Sequence, residues 1–208
     1  MTAKQALIRG HLAISLPILA VFAAAIATPA RGRWLSLVGF LGCYAFWSVA
    51  APRWRLWALA NVTDTAPASL LERGAKAGLL WREGSWFQRT EFRPGDYPAR
   101  QARAALLGAA RGCATDLTAA LQDDWGANAL EEIQVYLRPL IDALAAVPRN
   151  GEAERAAVGA FAAQFLVAQQ AGVLGLSKQL ERRGSILAAA LDDYWRAYAP
   201  TAGAPVAV

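Results

Sequence analysis

Histidine and cysteine are scarce in this chain. Of 208 residues one is a histidine, His11, and two are cysteines, Cys43 and Cys113. That inventory excludes a Cys/His zinc site, and no Glu-x-x-His pair is present to build a di-iron carboxylate bundle. Ser85 follows Gly84, but no histidine lies beyond residue 11 to activate it, so a nucleophile elbow is excluded too. Gly-rich phosphate cradles are also missing. Neither metal nor cofactor is expected. The two cysteines stand in unrelated contexts, which fits apolar packing or a reducing compartment rather than a bridge.

Negative charge is missing from one end. Residues 1–60 carry six basic and no acidic side chains, residues 61–112 eight basic and five acidic, and residues 113–208 seven basic and eleven acidic. The net charge of +5 is therefore a gradient, basic first and acidic last. A nucleic-acid reader would gather its arginines and lysines on the folded module, and here that module is the acidic part, so nucleic acid is not an expected partner. Juxtamembrane basic residues beside an anionic lipid surface fit the gradient better.

What fills the acid-free end is two apolar runs, Gly10 to Ala30 and Trp34 to Ala51, joined by Arg31-Gly32-Arg33. At 1.5 Å of rise per residue they span about 31 Å and about 27 Å as helices, which suits a hydrocarbon core. Lipid leaves backbone amides no partner but their own helix, and so short a link makes the two helices antiparallel neighbours. Gly39, Gly42 and Ala45 recur at three-residue spacing, a pattern that admits close helix approach, and Pro17 is expected to bend the first helix. His11 reads as an interfacial side chain.

The flanks carry the membrane-interface anchors expected of such a hairpin. Trp34 lies at one end and Trp47, Trp54 and Trp57 at the other, with Arg53 and Arg55 placed to reach the phosphates. Lys4, Arg9, Arg53 and Arg55 outside the hairpin outnumber Arg31 and Arg33 in the link, which predicts a multi-pass protein of the inner (cytoplasmic) membrane with both termini cytoplasmic. A rival reading exists: Lys4 and Arg9 before an apolar run ending Ala25-Ile26-Ala27 resemble a cleavable secretory signal. The length of the run and the second apolar segment immediately after it favour the hairpin.

The remaining chain is expected to be all-α apart from one β-ribbon. Residues 1–60 form the transmembrane hairpin with an interfacial extension. Residues 61–97 form a short helix from Pro67 to Ala77, capped by Thr65 or Asp64 and closed by Gly78, then a ribbon turning at Glu83-Gly84-Ser85. Residues 98–198 form an antiparallel helical bundle, and 199–208 a loose Pro/Ala/Gly-rich tail. In the bundle Leu106, Leu117, Leu130, Ile133, Leu137, Leu140 and Leu144 recur at helical spacing, and Pro139 is expected to kink or split the second helix. Ala156 to Leu176 is uncharged over 21 residues, long enough for a third crossing, but its glutamines and alanines favour the central buried helix of the bundle.

One cluster mixes aromatic and charged residues beside the hairpin. Trp81, Arg82, Trp86, Arg89 and Glu91 are the candidate contact residues, since Trp and Arg dominate interface hot spots. The acidic pairs Asp123/Asp124, Glu131/Glu132 and Asp192/Asp193 read as capping and helix-dipole pairing, not as acid/base couples. The sequence thus predicts a non-catalytic membrane scaffold or accessory subunit whose partners are the bilayer and another membrane subunit or a second copy. Two alternatives stand beside it: a membrane-bound enzyme using Glu83 or Glu91 with the neighbouring arginines on a lipid-linked substrate, and a small transport element with the third crossing.

Overall fold

The computed structural model describes residues 1–27, 32–82, 84–122, 127–146 and 151–198. Seven helices account for most of them, and the chain divides into two compact units, Met1–Tyr97 and Pro98–Val208.

In the first unit, α1 is one continuous run: α-helical over Ala3–Gly10, π-helical over His11–Ser15, α-helical again over Leu16–Ala27. Thr2 starts it with a capping box, its hydroxyl accepting from the Gln5 N–H at 3.3 Å while the Gln5 amide oxygen accepts from the Thr2 N–H at 3.0 Å. Just before Pro17, where the sequence predicts a bend, the helix makes a π turn closed by the Leu16 N–H on the His11 carbonyl. Widening the turn ahead of the proline makes room for a ring that would otherwise press on the preceding turn. His11 is exposed and bonds Ser15 Oγ through Nδ1 at 3.0 Å. The stretch Ala3–Ala24, about 33 Å of helix, is long and apolar enough to cross a bilayer, and near an N-terminus a secretory signal meets the same criteria.

Helix α2, Gly32–Asn61, runs straight through Pro52. Proline has no N–H to offer the Ser48 carbonyl one turn back. That carbonyl instead accepts the Phe92 N–H at 2.9 Å, so the segment after α3 docks on the gap left in the helix. Trp54, two residues beyond the proline, is buried, and its indole donates to the Ala6 carbonyl at 3.2 Å. A Cβ on Gly10 would lie 2.7 Å from both Trp54 Nε1 and Leu79 Cδ1, and one on Gly74 would lie 3.2 Å from Trp54 Cζ3. These two glycines let three segments close on one ring. The close approach expected at Gly39 and Gly42 is weaker, since a Cβ on Gly39 would only touch Val21 and one on Gly42 would meet nothing.

Helix α3, Pro67–Lys76, begins with proline in its first turn and is followed by Gly78 at φ +73°. Its N-cap is Ala66, which makes no side-chain cap; Asp64 is used elsewhere, accepting the Ala3 N–H at 2.9 Å at the start of α1. The chain's first carboxylate thereby sits where a helix dipole favours it. The β-ribbon is not formed: no strand occurs among the described residues, and Trp86–Thr90 is a 3₁₀ turn. Gly84 at φ +80° turns the chain, the Gln88 side chain accepts the Gly84 N–H at 2.7 Å, and Thr90 Oγ1 donates to the Phe87 carbonyl at 2.6 Å. Local side-chain bonds satisfy the backbone that a second strand would have paired, while Glu83 lies outside the described residues.

The second unit holds α4 (Tyr97–Gln122) from its second residue on, α5 (Ala127–Ala145), α6 (Gly151–Gln170) and α7 (Lys178–Tyr198). Cross-helix bonds fix their directions. Arg103 early in α4 meets Glu154 early in α6, whereas Asp116 late in α4 meets Arg183 early in α7. Tyr194 late in α7 returns to Glu154, and Tyr136 of α5 accepts from Gln164 of α6. Neighbours therefore alternate in direction, as a four-helix bundle with short links requires. Leu106, Leu117, Leu137, Leu140, Phe161 and Leu187 are completely buried at its centre. Helix α5 continues through Pro139 without splitting.

Helix α6 differs from the expectation of a helix buried all round. Val158, Phe161, Phe165 and Ala168 face inward, but Leu166 and Val167 on the other side are 54% and 57% exposed. It stops at Gln170, where Gly172 adopts φ +71° and a 3₁₀ turn Val173–Leu176 follows, so the uncharged stretch 156–176 is not one helix. The expected loose tail 199–208 lies outside the described residues.

Candidate functional site

Four aromatic rings build a ladder on the first unit. Trp47 of α2 meets Trp81 edge-on at 4.9 Å between centroids, Trp81 stacks on Phe87 at 4.7 Å, and Trp86 meets Phe87 edge-on at 5.4 Å. Each such pair contributes about 0.5–1.5 kcal/mol beyond burial, which fixes an irregular segment without a β-ladder. The outer end is open to solvent: Trp86 is 67% exposed and Phe87 46%. Arg82 and Arg89 are exposed in the same segment. Of the predicted contact residues, Trp81, Arg82, Trp86 and Arg89 thus share one face-forming stretch. The indole Nε1 of Trp81 is buried with no hydrogen-bond partner.

Glu91 does not belong to that patch. Its carboxylate is fully buried, 3.3 Å from Arg55 and 2.6 Å from Arg93. Arg55, expected at lipid phosphates, is 4% exposed and holds Glu91 inside the unit. The reason is Pro52: by drawing the backbone of Phe92 onto Ser48, it brings the neighbouring Glu91 against the next turn of α2. The Tyr97 hydroxyl donates to the Pro52 carbonyl at 3.3 Å, and the Arg93 guanidinium lies over the Tyr97 ring at 5.1 Å. Burial pushes the Tyr97 hydroxyl above its usual range, against the opposing pull of Arg55 and Arg93. Glu91 held between two arginines is a structural clasp, not a free acid or base.

The other anchors divide by environment. Trp34 is 77% exposed, and Arg53 is exposed too. Trp57 is half-buried with Arg9 over its ring at 5.9 Å, Trp47 is half-buried in the ladder, and Trp54 is interior. Two cavities flank α2. One, of about 400 Å³, lies between α1 and α2 beside Arg9, Arg53 and Trp57. The second, of about 350 Å³, is lined by Phe22, Phe40, Tyr44, Trp47, Trp81 and Arg82.

The bundle has its own buried polar knot. Arg103 Nε donates to Glu154 at 2.8 Å and the Tyr194 hydroxyl donates to the other carboxylate oxygen at 3.0 Å. Burial, then the Glu154 charge, raise the Tyr194 hydroxyl well above its usual range. Burial likewise pushes the Cys113 thiol up to about 12, so it stays an unreactive thiol. Among the described residues no group of three or more His, Cys, Asp or Glu side chains could hold a metal ion.

Sequence reasoning missed Phe87, Ser48, Pro52 and Tyr97, as well as the knot of Arg103, Glu154 and Tyr194. Only Pro52 left a local signal, a proline inside a helical run. No protein-family model, no curated protein and no solved structure matches this chain.

Proposed function

We propose that the chain is an integral membrane scaffold or accessory subunit. Its α1–α2 hairpin spans the inner membrane, with the termini and the bundle on the cytoplasmic side. The observation that carries this reading is the outward-facing apolar surface along both helices: Leu12, Leu16 and Leu19 on α1 and Val38, Phe40 and Leu41 on α2 are each more than half exposed. A contiguous surface of that kind is costly in water and is the ordinary surface of a lipid-facing hairpin. Val62–Tyr97 packs against α2 at Trp47, Ser48 and Trp54 and shares a cavity with Phe22 and Phe40, yet those six apolar side chains on α1 and α2 stay more than half exposed and are left for lipid.

The Trp86/Phe87 end of the aromatic ladder, with Arg82 and Arg89, is the surface offered to a second membrane protein. The enzymatic alternative loses its described carboxylate, because Glu91 is buried and engaged by Arg55 and Arg93. Extraction of membranes with alkaline carbonate tests the anchor: the intact chain should stay in the pellet. Its release into the supernatant, or a mature form beginning near Thr28, would overturn the reading. A photo-crosslinking amino acid at Trp86 should capture a membrane protein partner, and an empty trap in native membranes would remove the scaffold role.

A further inference from the structure

The groove between α1 and α2 has the chemical polarity of a phospholipid. On α2, Phe46, Val49 and Ala50 lie one to two helical turns from Arg53, all on the groove side; on α1, Ala13 lies one turn from Arg9. Both arginines therefore stand at the same end, and the rest of the groove is apolar. Among the described residues neither Arg9 nor Arg53 has an ion-pair partner, and no acidic residue precedes Asp64, whose carboxylate is occupied by the Ala3 N–H and the Thr65 hydroxyl. Arg9 is further placed by lying over the Trp57 ring. The cavity, about 400 Å³, can take the upper part of an acyl chain.

We propose that this groove is a binding site for an anionic phospholipid, Arg9 and Arg53 holding the phosphate while an acyl chain lies against Phe46, Val49 and Ala50. The inference rests on the membrane-anchor reading and adds a specific lipid to it. Two unneutralised guanidiniums converging on one end of an apolar channel select charge as well as chain. A zwitterionic headgroup offers the same phosphate but carries a compensating ammonium, so it is the natural competitor.

The test uses the full chain reconstituted in nanodiscs containing equal amounts of phosphatidylglycerol and phosphatidylcholine, extracted into mild detergent and analysed by native mass spectrometry for retained lipid. The wild type should retain phosphatidylglycerol over phosphatidylcholine. Arg9→Ala/Arg53→Ala should lower that preference roughly tenfold or more, given about 1 kcal/mol per juxtamembrane basic residue. Arg73→Ala, an exposed arginine outside the groove, should leave it unchanged. Ala50→Phe, which fills the channel with both arginines intact, should lower total lipid retention. Equal retention of the two lipids by wild type, or an undiminished preference in the double variant, would overturn the site. Carbonate extraction of the same variants separates the two readings: a chain that stays in the pellet but shows no preference loses only the lipid site, and a chain released from the pellet loses the anchor with it.

Discussion

Each unit buries one carboxylate against arginine, with a tyrosine beside it, and the two arrangements do different work. In the first, Glu91 lies between Arg55 and Arg93, and the tyrosine hydroxyl is spent on the Pro52 carbonyl instead of the acid. In the second, Glu154 takes one arginine and the Tyr194 hydroxyl directly. Arg55 is almost completely buried and its Nε has no partner, whereas Arg103 keeps a 12% exposed side chain and reaches the carbonyls of Ala143 and Ala146. Without its acid Arg55 would keep the neutral Tyr97 hydroxyl beside it, whereas Arg103 has two backbone carbonyls to fall back on. A buried pair is thus only as replaceable as the neighbours of its surviving partner.

The sharpest way to break this contrast is to remove each acid. Glu91→Ala strands a buried guanidinium and should cost about 3–5 kcal/mol, while Glu154→Ala should fall at the low end of that range because backbone carbonyls remain for Arg103. Thermal melting followed by size-exclusion fluorescence in detergent measures both. Equal losses would erase the distinction drawn between the clasps.

A smaller effect separates tight from open packing in the first unit. Gly10→Val drives a side chain into Trp54 and Leu79 and should destabilise by about 1–3 kcal/mol. Gly42→Ala meets nothing and should be neutral or stabilising, by at most about 1 kcal/mol from helix propensity. Chemical denaturation of the two variants against wild type decides it.

Alkali should act on the bundle through Tyr194. Its hydroxyl is held above the ordinary value near 10, so below pH 10 both folded and unfolded states keep the proton and stability is level. Above pH 10 the unfolded chain loses the proton first, and stability should fall by about 1.4 kcal/mol per pH unit. Tyr194→Phe should flatten that part of the slope in a pH series of unfolding curves. At the bottom of the scale, Arg196→Ala removes an exposed partner of Asp192 and should leave the melting temperature unchanged.

Helix periodicity was legible wherever one face alone is wet. Leu130, Ile133, Leu137, Leu140 and Leu144 read directly as the inner stripe of α5, and all five are buried. The apolar first helix was legible from length and missing charge. Aromatic content, by contrast, misled the reading of 79–92: Trp81, Trp86 and Phe87 suit a strand by propensity, but they stack on one another and on Trp47, a contact more than thirty residues away in sequence. The same distance hid the role of Arg55, whose partner Glu91 is set by a backbone bond that no composition reveals. Buried charge pairs formed across long separations leave no periodic trace.

The proline at position 52 also reverses an ordinary engineering expectation. Restoring an amide there with Pro52→Ala would complete the helix's own ladder, and Ser48 would then release the main chain of Phe92. The repaired rod would gain regularity and shed its clip, so that a substitution chosen to strengthen one helix would loosen the loop that carries the exposed tryptophan.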